Sequence, residues 1–238
     1  MCTVTLTPLP DYKYGFVLTS SRDEAPGREA LPPDFYLEAG VKLLYPMDKE
    51  SGGSWIGISE NSRVICLLNG GREAHERNVS YRLSRGVVVK DLLKAAIIDE
   101  TIHTYNLINI EPFTIITADW NHGLRFLEIM WDGSEKHIRE LDLTNHLWSS
   151  SPLYDTGMKK QRNEWFKNFM REKELTPENL WDFHHSAGIG DKNIDVIMDR
   201  GFVRTQSITQ IINNSAETEM IFKDLQKEKI TEKTFSTI

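Results

Sequence analysis

The sequence predicts an α+β fold built mostly from antiparallel sheets. Strand-like segments come in consecutive runs instead of alternating one for one with helices. Short turn-like stretches ("ENS", "WNHG", "DGS") join several of them, as in hairpins. The 238 residues are 39% hydrophobic and 10% aromatic, enough to bury a sizeable core.

In chain order, "CTVTLTP" and "YGFVLTSS" show the rough alternation of strands and form a hairpin across "LPDYK", so the second strand returns near Cys2. Residues 24–53 read as irregular, broken by Pro26, Pro32, Pro33 and Pro46. "SWIGIS" and "RVICLLN" make a second hairpin. Residues 80–106 read as helix, with Leu92, Leu93, Ala96 and Ile97 at helical spacing and the β-branched run Val87–Val89 as a place for a break. "PFTIITADW", "GLRFLEIMWDG" and "SEKHIRELD" follow as antiparallel strands, with "HLWSSSP" as a further one. "TGMKKQRNEWFKNFMREKE" is an amphipathic helix whose stripe is Met158, Trp165, Phe166, Phe169 and Met170. "TPENLWDFHHS" is a second helix, with Thr176 at the N-cap and Pro177 at the first helical position. "GFVRTQSITQIINN" and "AETEMIFKDL" close a single domain over residues 1–222, and residues 223–238 read as a charged tail. This order suits two sheets stacked between helical layers.

The formal charge of −7 is mixed along the chain with no Lys/Arg block, which argues against a nucleic-acid partner. No apolar run reaches the roughly 18 residues of a membrane span. The start lacks the basic-then-apolar pattern of a secretory signal, so a cytoplasmic protein is expected. Of the two cysteines, Cys66 lies inside an apolar strand and reads as a core thiol. That leaves Cys2 to explain.

If Met1 is removed, Cys2 carries a thiol and a free α-amine on one residue. An α-amine titrates near about 7.7–8.0 and a thiol near about 8.5, so the amine can take the proton of its own thiol. Arg22 beside such a thiolate favours the charged form, and Asp23 can hold the amine by a charge-assisted hydrogen bond. Adjacent strand residues point to opposite faces, so both serve one site only where the strand bends or ends. Gly52 and Gly53 allow close backbone approach. Asn69 ends an apolar strand before Gly70, and its amide with the Gly70 N–H can bind a developing oxyanion. Ser149, Ser150 and Ser151 offer hydroxyls at a strand end. Each of these has a plain alternative when read alone: a tolerated terminal cysteine, a solvated ion pair, turn glycines, Asn-Gly turn chemistry, an N-cap loop. His184 and His185 diverge by about 100° on a helix and lack zinc spacing, so no metal and no cofactor is assigned.

In combination, the motifs resemble the NRDE, or transport and Golgi organisation, family. The resemblance rests on "MC" before a strand, "SRDEAPGREALPP" at the Asn-Arg-Asp-Glu signature, "GGSWIGISENSRVICLLN", "SYRLSRGVVVKDLL", and more loosely "SSSPLYD" and "RTQSITQI". The family is similar to N-terminal-nucleophile hydrolases, which implies a four-layer αββα sandwich. It also implies chemistry like that of penicillin V acylase and bile salt hydrolase, which cleave linear amides with an N-terminal cysteine. The resemblance then makes Cys2 the nucleophile, with Arg22, Asp23 and Asn69 around it and Gly70 and Ser150 in the oxyanion hole. Ser21 stands where the signature has Asn, and Ser150 where the related enzymes have an oxyanion Asn. Their late Arg aligns with Gln210, with Arg204 nearby. The implied partner is a small-molecule amide, or in a non-catalytic reading a haem- or lipid-like cargo.

Overall fold

The computed structural model describes residues 2–76, 78 and 80–236, with the Cys2 side chain outside that description. The chain runs β1 (Cys2–Leu9), β2 (Gly15–Glu24), β3 (Ala30–Glu38), β4 (Val41–Asp48), β5 (Ile56–Ser59), β6 (Arg63–Asn69), α1 (Arg85–Lys94), α2 (Ile98–Thr104) and β7 (Phe113–Asp119). It continues β8 (Arg125–Trp131), β9 (Lys136–Leu141), β10 (His146–Ser149), α3 (Thr156–Glu172), α4 (Pro177–Ser186), β11 (Arg204–Asn213), β12 (Glu217–Asp224) and β13 (Lys229–Ser236).

Two antiparallel sheets result. One is six-stranded, in the order β10-β1-β2-β11-β12-β13, and the other seven-stranded, in the order β3-β4-β5-β6-β7-β8-β9. α1 packs on β4, β5 and β6, whereas α3 and α4 pack on β10, β2 and β11. The layers are therefore helix, sheet, sheet, helix, as the sequence implied.

Strand alternation divides the core. On β2, Phe16 and Leu18 join the main apolar cluster with Val4 and Leu6 of β1, whereas Val17 packs with Phe166, Leu180 and Phe183 of α3 and α4. α3 starts where Asp155 accepts the Met158 N–H, and α4 where Thr176 accepts that of Asn179.

Four sequence expectations change. Residues 24–53 are not irregular: β3 and β4 form a hairpin there. β3 is an edge strand, and its register shifts between Leu31 and Asp34, where Pro32 and Pro33 cost no ladder bonds. The 80–106 helix does break, but at Ala95–Ile97 and not at the valine run. β10 leaves β7–β9 and pairs with β1. Most of the expected charged tail forms β13, paired along β12 and anchored by buried Phe235; its charged residues Lys229, Glu232 and Lys233 suit an exposed edge strand.

Candidate functional site

β1 and β2 pair so that position 2 stands opposite Arg22. On the other side of β1 the ladder with β10 ends at Thr3–Ser149, so Ser150 is the next residue along, beside position 2. Met1 and the Cys2 thiol lie outside the described residues; the backbone of position 2 runs between Arg22 and Ser150.

Arg22 and Asp23 separate as alternation requires. Arg22 is 3% exposed and lies over Trp55, 4.5 Å from its ring centre. It donates through Nη2 to Asp48 Oδ2 at 2.7 Å and through Nη1 to the Arg28 carbonyl at 3.1 Å. Burial works against the Asp48 carboxylate, yet hydrogen bonds from Ser51 and the charges of Arg28 and Arg22 hold its pKa below the usual carboxylate range.

Asp23 is fully buried on the helix-facing side of the sheet. The Tyr154 hydroxyl donates to its Oδ2 at 2.6 Å, and Thr205, opposite it on β11, donates to Oδ1 at 2.7 Å. The Arg162 guanidinium of α3 stacks 3.7 Å above the Tyr154 ring. Burial pushes the Asp23 carboxyl above its ordinary range against the opposing pull of Arg162, Tyr154 and Thr205. The carboxylate still has lone pairs to offer a further donor.

Ser21 bonds His184 Nδ1 at 2.7 Å, and Thr5 bonds Nε2 at 3.0 Å. The serine that replaces the signature Asn is thus matched to a buried imidazole. Burial, aided by His185 and Arg162, lowers the His184 pKa to about 3, so the ring is neutral and serves as a two-ended hydrogen-bond spacer. His185 diverges and bonds the Trp181 carbonyl.

The remaining expected residues share one end of the sandwich but occupy different cavities. Asn69 and Arg22 line a cavity of about 330 Å³ with Asp48, Trp55 and Ser84. No hydrogen bond joins the Asn69 side chain to another described residue. Gly70 and Ser150 line another cavity, of about 220 Å³, with Ser151 and Lys159. The Gly70 N–H does not face an oxyanion: it donates to the Pro112 carbonyl at 2.9 Å. Gly70 acts by its shape instead. At φ +84° it presses against Pro152, and a Cβ there would stand 2.5 Å from the proline Cδ. This contact seats the 150–152 turn against β6. Ser150 is 2% exposed and its Oγ has no partner among the described residues. Arg204 lines a third cavity, of about 290 Å³, which it shares with Arg22. Gln210 points away, donating to Thr19 and the Pro177 carbonyl.

Tyr154, Arg162, Thr205 and Asp48 were missed as members of this network. A signal for Arg162 was present: it falls between Met158 and Phe166 at spacing four, on the apolar stripe of α3, where a charge needs a buried partner.

The fold is similar to that of solved amide-cleaving enzymes of the N-terminal-nucleophile type. It superposes on penicillin V acylase from Agrobacterium tumefaciens with a TM-score of 0.54 at 10% identity, covering 98% of this chain and 85% of that one. It is similar to an N-acylethanolamine-hydrolyzing acid amidase orthologue from Caenorhabditis elegans with a TM-score of 0.58 at 12% identity, over 88% and 92% of the two chains. A variant conjugated bile acid hydrolase from Clostridium perfringens gives 0.53 at 9% identity, over 99% and 97%. At such identities the likeness is one of fold. No curated protein matches in sequence. The chain matches the Transport and Golgi organisation 2 family over residues 1–235 and belongs to it. Among the described residues no group of three or more His, Cys, Asp or Glu is placed to hold a metal, and no helix is long and apolar enough to cross a membrane.

Proposed function

We propose that the protein hydrolyses a linear carbon–nitrogen amide bond, with Cys2 as nucleophile after removal of Met1. The observation that supports this reading is the backbone of position 2 lying between Arg22 and Ser150, with the buried Asp23 following Arg22 on β2. The Cys2 α-amine takes the thiol proton, and the thiolate attacks the amide carbonyl. The tetrahedral oxyanion is met by the unpartnered Ser150 hydroxyl, beside position 2 in the ladder, while Asn69 lines the Arg22 cavity that receives the substrate. The α-ammonium gives its proton to the leaving amine, leaving a thioester. Water adds to the thioester with its proton going to the α-amine, and the acid and the free thiol are released. Asp23 orients and stabilises the α-ammonium; Arg22 supplies positive charge beside the thiolate.

A haem- or lipid-like cargo is the second reading. The lining of the cavity that Arg22 and Asn69 share, with Glu24, Arg28, Asp48 and Ser54 against Trp55, Leu67, Tyr81 and Leu83, favours a polar amide over it.

The test is iodoacetamide labelling of untagged protein from pH 5 to 9, read by peptide mass spectrometry, followed by turnover on a panel of N-acyl amides. Cys2 is expected without Met1 and alkylated fast at acidic pH, while fully buried Cys66 stays inert. Cys2→Ser is expected to abolish turnover. Unchanged turnover in Cys2→Ser would overturn the proposal, and so would a retained Met1.

A further inference from the structure

The cavity on the β11 side of Arg22 contains a cation that no other described residue neutralises. Arg204 opens β11 opposite Glu24, and among the described residues its guanidinium makes no ion pair or hydrogen bond. Its Nε is buried and unpartnered. Three residues on, Ser207 is 2% exposed, lines the same cavity, and its Oγ is also buried without a partner. Buried polar atoms are nearly always paired, so two orphans facing one space of about 290 Å³ call for an explanation.

The other charges facing this space are accounted for within the fold. Arg22 and Arg28 both hold Asp48. Glu29 pairs with Lys49 at 3.2 Å. Asp224 pairs with Lys227 at 3.6 Å and accepts the backbone N–H groups of Gln226 and Lys227. Gln206, at the bulge between Thr205 and Ser207, is tied to the Ala25 carbonyl. Four cations and two carboxylates line the space, and Arg204 is the cation left over.

From this we infer that the cavity is a subsite for a compact anionic group, a carboxylate or a phosphate monoester, held by the Arg204 fork and the Ser207 hydroxyl. A guanidinium presents paired N–H donors that match the two oxygens of such a group, and a serine hydroxyl adds a third donor. Arg22 lines both this cavity and the one that holds Asn69, so the anion sits across Arg22 from the proposed reaction centre. The substrate class follows: an amide with a small anionic substituent. Calling the ligand a substrate rests on the hydrolase reading; the anion site does not.

The experiment is thermal melting and calorimetric titration of the full chain with phenyl phosphate, inorganic phosphate, propionate and glutarate, at pH 7 and an ionic strength fixed with sodium chloride. Saturable stabilisation by one class over chloride is expected, and the class that wins names the group. Arg204→Gln is expected to weaken that binding at least tenfold, Ser207→Ala severalfold, and exposed Lys160→Ala, on α3 away from this cavity, not at all. Arg204→Gln is also expected to melt no lower than the parent, because it removes an unpaired, partly buried cation. If it fails to fold, Arg204→Lys decides, since it keeps the charge but loses the fork and is expected to bind more weakly. The inference is overturned if no anion exceeds chloride, or if the Arg204 and Ser207 variants bind like the parent. Pairing the titration on Cys2→Ala with the amide panel on the parent separates the two proposals: anion binding with no turnover of any amide by the parent sinks the hydrolase reading alone, and turnover by the parent without anion binding sinks the subsite alone.

Discussion

Arg63 and Arg162 are buried almost completely, one in each outer half of the sandwich, and they are used in opposite ways. Arg63 meets its carboxylate directly: Nε donates to Asp119 Oδ2 at 2.8 Å, and Nη1 reaches the Leu92 and Ala95 carbonyls at the end of α1. The pair is closed, and it fixes the helix to the sheet. Arg162 touches no carboxylate among the described residues. It donates to the Ile194 and Asp195 carbonyls and to Thr3, and its charge reaches Asp23 across the Tyr154 ring. Asp23 is thereby stabilised without being capped, and its carboxylate keeps lone pairs for another donor. One arginine completes a structure; the other keeps a carboxylate available.

The largest test of this contrast replaces each arginine by Met. Both substitutions leave a buried carboxylate poorly compensated and are expected to cost about 3–5 kcal/mol in urea unfolding. Only Arg162→Met is expected to change the alkylation rate of Cys2 in the folded protein. Equal rates in the two variants would erase the distinction. Tyr154→Phe comes next: it keeps the ring under Arg162 but removes a hydrogen bond to a buried carboxylate, at about 1.5–3 kcal/mol. A loss below 0.5 kcal/mol would mean that the hydroxyl does not hold Asp23.

The third test concerns pH. The His184 pKa is depressed to about 3 in the fold against an ordinary value near 6.5, so the unfolded chain takes up the proton first as pH falls. The stability that His184 contributes is present above about pH 6.5 and is lost progressively towards pH 3. At pH 5 the loss amounts to about 2 kcal/mol. Urea midpoints of the parent and His184→Gln, compared at pH 7.5 and 5, should show the extra loss in the parent alone. Parallel pH profiles would show that the ring titrates freely.

The legible part of the sequence was whatever is decided locally. The alternation of β2, the caps of α3 and α4, and the opposed faces of Arg22 and Asp23 follow from neighbours a few residues apart. β3 and β13 were hidden because edge strands tolerate what central strands exclude, prolines in one and exposed lysine and glutamate in the other. The placement of β10 depends on a pairing with β1 that no local pattern encodes. The partners of Asp23 come from Tyr154 and Thr205, 131 and 182 residues further on. The Gly70 amide looked like an oxyanion donor because its sequence context fits a turn at a strand end; its engagement by Pro112 is visible only in three dimensions.

The central position of β1 and β2 has a consequence for the order in which the molecule comes together. These strands meet as a local hairpin, but their outer neighbours are β10 and β11, so Thr3 awaits Ser149 and Arg22 awaits Ser207. During synthesis the first hairpin emerges with both edges open and stays so until most of the chain has followed. Long-range pairings of this kind close late and slowly. Cys2–Leu9 and Gly15–Glu24 thus gain their outer neighbours only once β10 and β11 arrive.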